Sequence, residues 1–242
     1  MRARAVASAA ACGLLLPLGA CGSTSTPAGG TGASTSTTST GAPTASATLR
    51  STETPSAVSS MPQPSGLAAP VFHTASFAVP FSVALSPMLK PKPSEQTASF
   101  VWWQSRTEPN DRVRFLHPAE YYPGGGPHAA PPPSDYPTYL RSLTAKGVRF
   151  TDKTTLTVGG RTVAVMTATA TGAGLDGSLG CPDVGADQAD GCYGIQPDYA
   201  LRIAVLNAGG RTILAWARTS SATPNKAFLR SFDVMLRTLH FG

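Results

Sequence analysis

Apolar and polar residues alternate along much of the chain from residue 71 onward, and this period of two predicts β-strands. Residues 71–85 alternate loosely around Pro80, which predicts an early strand or a hairpin that the proline interrupts. Residues 99–104 predict a further strand, and residues 112–116 predict its antiparallel partner. Residues 117–133 are rich in glycine and proline, so a long irregular loop is expected there.

Two longer β-hairpins are predicted further along the chain, each closed by a Gly-Gly pair that supplies the positive φ of a tight turn. The first joins residues 150–158 to residues 161–170. The second joins residues 199–206 to residues 211–219. One face of the second hairpin is predicted to carry its apolar side chains, Leu201, Ile203, Val205, Ile213, Ala215 and Ala217.

Two segments have the apolar spacing and the end signals of a helix. Asp135 is predicted to cap a helix that runs to Lys146 and stops at Gly147. Near the C-terminus, Thr223 is predicted to cap a helix that occupies residues 224–239. Hairpins combined with two helices predict an α+β fold, in which the helices pack on an antiparallel β-sheet.

The N-terminal region is typical of an exported protein. Residues 1–4 are basic and residues 5–17 are apolar, which is the pattern of a secretory signal. The sequence Leu18-Gly-Ala-Cys21 resembles a bacterial lipobox. This resemblance implies a signal peptide over residues 1–20, cleavage before Cys21 and a diacylglycerol on the Cys21 thiol. The alternative is ordinary Ala-x-Ala-type cleavage beside an incidental cysteine.

The segment after Cys21 has the composition of a tether. Residues 21–65 are almost entirely Ser, Thr, Ala, Gly and Pro, so we expect a disordered linker. Residues 66–242 then remain as a single globular domain, large enough to bury its own core and predicted to be monomeric. Membrane contact is predicted to run through the lipid, with the domain on the extracytoplasmic face.

The formal net charge is +6, but the basic residues are scattered and do not indicate nucleic-acid binding.

Two of the four cysteines, Cys181 and Cys192, lie in the predicted domain. In an exported domain an even remainder of cysteines predicts a disulfide bond. Zinc binding and free thiols are the alternatives. Two thiols without a nearby histidine are too few for a zinc site, so no metal is predicted.

Several short motifs match a binding or catalytic pattern only in part. Residues 172–177 match GxGxxG, but the following residues cannot open the helix that a dinucleotide site needs, so a glycine-rich loop is expected. His117 and Glu120 form an acid–base pair only if the fold brings them together. Four aspartates predict a solvated acidic loop, with calcium binding as the alternative: Asp176, Asp183, Asp187 and Asp190.

Aromatic residues in and near the long loop form the best candidate binding site. Trp102 and Trp103 are adjacent on a strand, so they face opposite sides and one of them should be buried. Long ordered loops in compact domains often carry function. The candidate binding residues are therefore Trp102, Trp103, His117, Tyr121 and Tyr122. The alternative is that these rings only hold a proline-rich loop against the sheet.

The order of the predicted elements resembles the PsbP-type α/β/α sandwich, which also occurs in actinobacterial lipoproteins of the LpqN kind. The resemblance covers most of residues 72–241 and implies a binding or assembly module. GxSxG, HExxH and Ser-x-x-Lys motifs are missing from the sequence, so we expect neither an enzyme nor a cofactor. The expected partner is an envelope protein, glycan or lipid. A hydrolase of envelope polymers and a ligand-free surface protein are the alternatives.

Overall fold

A seven-stranded antiparallel sheet forms the centre of the fold in the computed structural model, which describes residues 69–242. The predictions for the signal peptide, for Cys21 and for the tether lie outside these residues. The strands are β1 (Val71–His73), β2 (Phe81–Ala84), β3 (Glu95–Gln96), β4 (Phe100–Gln104), β5 (Arg112–Leu116), β6 (Val148–Val158), β7 (Arg161–Ala170), β8 (Leu175–Gly180), β9 (Tyr193–Ile195), β10 (Tyr199–Ala208), β11 (Arg211–Ser220) and β12 (His240–Phe241). The helices are α1 (Tyr136–Ser142) and α2 (Lys226–Arg237).

The central sheet has the strand order β3-β4-β5-β11-β10-β7-β6. Both predicted hairpins are confirmed: β6 pairs with β7, and β10 pairs with β11. Their turns use Gly159-Gly160 and Gly209-Gly210, all four with positive φ, which a side chain would disfavour. The predicted pairing of β4 with β5 is confirmed as well.

Both faces of the central sheet are covered, which confirms the α+β class and gives a three-layer arrangement. On one face, called face A here, α2 and the small sheet β1-β2-β12 enclose a core that includes Trp103, Phe115 and Phe232. On the other, face B, α1 and the β8–β9 pair enclose a second core around Leu140, Leu179 and Trp216. The central strands β10 and β11 are therefore buried from two sides.

The predicted apolar face of the second hairpin is wrong. The register pairs Ile203 with Trp216, and Ala204 with Ala215. Leu201 and Ile203 therefore lie on face B, whereas Ile213, Ala215 and Ala217 lie on face A. The prediction failed because both faces are apolar, so alternation alone cannot say which residues of the two strands share a side.

Helix α1 forms as predicted. The Asp135 side chain accepts a hydrogen bond from the Thr138 N–H at 3.0 Å, which caps the first turn. The helix tightens into a 3₁₀ turn over Leu143–Lys146 and ends at Gly147, whose φ is 85°. Tyr136, Leu140 and Leu143 are buried against face B.

Helix α2 begins later than predicted. Thr223 does not cap it, and Pro224 lies before it. Asn225 is the cap, because its Oδ1 accepts a hydrogen bond from the Phe228 N–H at 3.1 Å. The Asn225 N–H in turn donates to Thr219 Oγ1 on β11, so contact with the sheet selects the cap.

The predicted glycine-rich loop over residues 172–177 is also partly wrong, because Leu175–Gly180 forms strand β8 and pairs with β9. The long loop over residues 117–133 is confirmed as irregular, with one 3₁₀ turn at Pro123–Gly125. Within residues 69–242, neither helix has the length and apolar character needed to cross a membrane.

A buried ion pair fixes α2 to the sheet. Arg202 on β10 donates to both carboxylate oxygens of Asp233 on α2, with N–O distances of 3.0 and 2.9 Å. The Arg202 side chain is only 6% exposed and the Asp233 side chain 17%. Arg202 also donates to the backbone carbonyl of Asp152, which occupies an irregularity in β6 and has a φ of 48°.

We predict that Asp233→Ala lowers the free energy of unfolding by about 3–5 kcal/mol, because it leaves the buried Arg202 cation without its counter-charge. Chemical denaturation followed by circular dichroism measures the change. Asp183→Ala, at an exposed aspartate, is the control and should change stability by less than about 0.5 kcal/mol. Equal effects of the two substitutions would show that the ion pair does not hold the layers together.

Candidate functional site

The five residues of the predicted binding loop do not converge on one site. Trp103 is fully buried on face A, where its ring lies edge-on to Phe72 at 4.9 Å. Tyr121 packs edge-on against Tyr139 at 4.9 Å, beside α1. The prediction that Trp102 and Trp103 face opposite sides and that one of them is buried is confirmed.

The remaining loop residues make contacts that hold the loop in place. The Tyr122 hydroxyl donates to the Ala186 carbonyl at 3.4 Å. His117 Nδ1 lies 3.0 Å from the Thr212 carbonyl, and Glu120 accepts a hydrogen bond from the Gly185 N–H. His117 and Glu120 are therefore engaged with different parts of the chain. Whether the loop also binds a ligand stays a prediction.

One of the acidic residues near the disulfide, Asp187, stabilises the backbone of its own loop. Asp187 Oδ1 accepts hydrogen bonds from the N–H groups of Ala189 and Asp190, both at 3.0 Å. In the part of the chain that the structure describes, no three His, Cys, Asp or Glu side chains are grouped closely enough to hold a metal ion.

Three arginines lie close together on face B, among aromatic rings. Arg112 and Arg114 are two positions apart on β5, so their side chains leave the same face. Across the β5–β11 pairing, Arg112 lies directly opposite Arg218, and Arg114 lies opposite Trp216. We call Arg112, Arg114 and Arg218 the arginine patch.

Aromatic rings hold the guanidinium groups of the patch. The Arg112 Cζ lies over the Trp102 ring at 4.8 Å from its centre. Arg114 lies over Tyr193 at 4.9 Å and also within 6.0 Å of the Trp216 ring centre. The Arg218 Cζ lies 4.0 Å from the centre of the Tyr199 ring. These are cation–π contacts, which position a guanidinium through its flat face.

The patch lacks the carboxylate partners that partly buried arginines normally have. Within residues 69–242 the single ion pair is Arg202–Asp233, on the opposite face. The Nε atoms of Arg112 and Arg114 are buried and have no hydrogen-bond partner among these residues. Arg218 Nε donates to the Asn110 carbonyl at 3.1 Å.

The electrostatic effect is clearest at Arg114. Burial, followed by the positive charge of Arg218, lowers the pKa of Arg114 to about 10. Burial also lowers the pKa of Arg218. The fold thus gathers three positive charges at a place where each raises the free energy of the others.

A pocket of about 210 Å³ opens beside the patch. Arg114, Arg218 and Trp216 line it from the central sheet, and Asp176 and Gln196 line it from the β8–β9 side. The pocket is thus lined by both the sheet and the segment that covers it.

The disulfide helps to place the second wall of the pocket. Cys181 and Cys192 are bonded, as the cysteine count predicts, and Cys192 lines the pocket next to Tyr193. The Tyr193 ring stacks on Phe100 with ring centres 4.6 Å apart. Gln188, between the two cysteines, donates to the backbone carbonyl of Asp176 at 3.0 Å. The covering segment is therefore tied both to itself and to the sheet.

Sequence reasoning missed the arginine patch, although one signal for it was present. Arg112 and Arg114 alternate with Val113 and Phe115 on a strand whose neighbours are apolar. Such alternation normally marks a solvent-facing side of a sheet. What the pattern could not show is that Arg218 lies across from Arg112 and that β9 brings Tyr193 over the same face.

The sequence matches no protein-family model and no curated protein. Among solved structures, the chain is similar to the solution structure of cyanobacterial PsbP (CyanoP) from Synechocystis sp. PCC 6803. The two share 8% sequence identity, with a TM-score of 0.37 over 76% of this chain and 98% of that chain. No residue role is carried over from that protein.

We predict that Arg114→Met stabilises the ligand-free protein by about 1–2 kcal/mol, because it removes a buried cation that has no counter-charge. The lowered pKa means that the folded state binds this proton less tightly than the unfolded state does. The charged Arg114 therefore destabilises the folded state at every pH below about 10, where the residue is charged in both the folded and the unfolded state. Denaturant unfolding at pH 7 measures it.

Arg149→Met, at an exposed arginine of β6, is the matched control and should leave stability unchanged within about 0.5 kcal/mol. A loss of stability in Arg114→Met larger than in this control would mean that the cation–π contacts outweigh the burial of charge.

Proposed function

We propose that this protein is a lipid-anchored lipoprotein of the cell envelope whose folded domain is a non-catalytic binding module for an anionic ligand. The lipid is attached at Cys21, and the ligand binds at the arginine patch and its pocket. The observation that carries the proposal is that Arg114 and Arg218 line a pocket of about 210 Å³ and form no ion pair with a carboxylate among residues 69–242.

The way in which the arginines are held supports binding of an anion. A salt bridge would use the in-plane N–H donors of a guanidinium, whereas a cation–π contact uses its face. Arg114 is thus fixed in position beside Tyr193, lines the pocket and forms no ion pair among residues 69–242. Such a preorganised fork suits the oxygen atoms of a phosphate, sulfate or carboxylate.

The chemistry of these groups favours binding over catalysis. Burial raises the pKa of Tyr193 to about 12, and the pKa of Arg114 is about 10. Both side chains therefore keep their protons at neutral pH. A general base must be deprotonated at that pH in order to accept a proton from its substrate. They can orient and neutralise an anion without exchanging a proton with it.

Anion binding is tested by thermal unfolding of the purified full-length chain in detergent, with sulfate or phosphate added at constant ionic strength. At concentrations about tenfold above the dissociation constant, the melting temperature should rise by about 3–6 °C. Arg114→Gln and Arg218→Gln should each abolish the rise, because each removes a guanidinium that faces the pocket.

Arg149→Gln, which removes an equal charge from the exposed part of β6, is the control and should keep the full response. A rise that survives Arg114→Gln, or that is lost equally in the control, would place the effect on general surface charge and refute the proposed site.

The anchor is tested by Cys21→Ser. The unaltered protein should partition into the detergent phase of Triton X-114 and have a mature mass that includes a diacylglycerol, because acyl chains supply the membrane affinity. The variant should lack the lipid and partition into the aqueous phase. A mature protein that begins at a residue other than Cys21, or that has no lipid mass, would contradict the lipoprotein proposal.

A further inference from the structure

One carboxylate shares the pocket with the arginines. Asp176, on β8, lines the pocket together with Arg114 and Arg218. It forms no ion pair with either, since the one ion pair within residues 69–242 is Arg202–Asp233. Asp176 is instead hydrogen-bonded by the side-chain amide of Gln196, which donates to Oδ1. The pocket therefore has a cationic wall and an acceptor wall.

This arrangement discriminates between kinds of anion. A bare anion is attracted by the arginines but repelled by the Asp176 carboxylate. A ligand that carries hydroxyl groups beside its anionic group avoids the penalty, because a hydroxyl can donate to the carboxylate while the anion meets the arginines. Asp176 keeps accepting capacity for such a donor, since Gln196 contacts only Oδ1.

The number of arginines bears on the charge of the anionic group. Arg112 and Arg218 are direct cross-strand neighbours, and Arg114 is two residues further along β5. Three cations at this spacing are neutralised better by a group with close to two negative charges than by a carboxylate with one. A phosphate monoester carries a charge of about −1.5 to −2 at neutral pH and offers three terminal oxygens.

The size of the pocket limits the carrier of that group. Its volume of about 210 Å³ lies below the range of about 300–1,000 Å³ typical of sites for drug-sized ligands. A headgroup or a single small polyol phosphate suits such a volume, and a large ring system does not.

We propose that the pocket binds a phosphate ester with free hydroxyl groups, of the size of a glycerol phosphate. This inference rests on the proposed function and specifies its ligand. Arg114 and Arg218 bind the phosphoryl oxygens, and Arg112 adds charge from the neighbouring position. Asp176, oriented by Gln196, accepts a hydrogen bond from a hydroxyl group. A phosphoryl group beside free hydroxyl groups occurs in soluble glycerol phosphate, which is a monoester, and in the headgroup of phosphatidylglycerol, which is a diester with one negative charge and should bind less tightly per headgroup.

Isothermal titration calorimetry of the full-length chain in detergent tests the ligand class with sn-glycerol 3-phosphate, methyl phosphate and O-phosphoethanolamine. Glycerol 3-phosphate should bind about tenfold more tightly than methyl phosphate, because it adds a hydrogen bond to a charged acceptor. Phosphoethanolamine carries an ammonium group in place of the hydroxyls and should bind more weakly than glycerol 3-phosphate, because the ammonium charge is repelled by the arginines and cancels part of the phosphate charge.

Asp176→Ala separates recognition from folding. It should strengthen methyl phosphate severalfold, because the substitution removes the repulsion. It should weaken glycerol 3-phosphate severalfold, because the loss of the hydroxyl acceptor is only partly offset by the loss of the repulsion, so the two ligands should then bind with similar affinity. A merely damaged pocket would weaken both ligands. Asp183→Ala, at an exposed aspartate outside the pocket lining, is the control and should change neither affinity.

The outcomes distinguish the two proposals. If methyl phosphate binds as tightly as glycerol 3-phosphate, or phosphoethanolamine binds most tightly, the ligand class is overturned and the anion-binding function stands. If no anion binds, both fall.

The source of the phosphate is resolved by flotation of the Cys21→Ser variant, which lacks the proposed anchor, with vesicles. Binding to phosphatidylglycerol vesicles but not to phosphatidylcholine vesicles, lost in Arg114→Gln, would assign the site to a lipid headgroup. Binding of glycerol 3-phosphate in solution without vesicle binding would assign it to a soluble phosphate ester.

Discussion

The two-sided burial of strands β10 and β11 is the constraint on which the rest of the structure depends. Ala200 to Ala204 are five consecutive buried residues, an arrangement that an antiparallel sheet with one wet face would not allow. Water reaches neither side of this segment, so any charge on it needs compensation from the protein. Arg202 is the charged residue among the five, and Asp233 of α2 meets it with two hydrogen bonds. The same ion pair therefore holds α2 on the sheet and allows β10 to be buried with a charged residue on it.

The arginine patch meets the same constraint in a different way. Arg114 and Arg218 lie on strands of the same sheet, yet aromatic rings accompany them where Arg202 has a carboxylate. Aromatic contacts compensate a buried cation less fully than an ion pair does, which agrees with the lowered pKa of Arg114. The fold thus pairs Arg202 with a carboxylate and leaves the charge of the patch in part uncompensated, and this is the free energy that the proposed anion would recover on binding.

Much of the fold was predictable from the sequence because local signals decide it. The Gly-Gly turns and the Asp135 cap act over a few residues, and the structure confirms them. The start of α2 was not predictable, because Thr223 and Asn225 are both good caps and Thr219 of the neighbouring strand selects Asn225.

The candidate site was beyond the reach of local signals, and the reason is register. The register of a hairpin decides which side chains share a face. In a sheet that is apolar on both sides, the sequence shows no polar–apolar pattern from which to infer that register. Trp102 was a candidate from the sequence, but its contacts with Arg112 and Arg114 became apparent only once β4 was paired with β5. The aromatic loop was predicted from composition, which cannot tell a ring that pins a loop from one that meets a ligand.

The connection between β7 and β10 shows how the site depends on the architecture. These strands are antiparallel neighbours in the sheet, and such neighbours can be joined by a turn of two residues. Residues 171–198 connect the two strands instead, and this connection includes β8, β9 and the disulfide. Long excursions of this kind in compact domains usually serve function rather than connection. Here the excursion covers face B and also supplies Asp176, Tyr193 and Gln196, so the segment that completes the second core is the same one that builds the wall of the pocket.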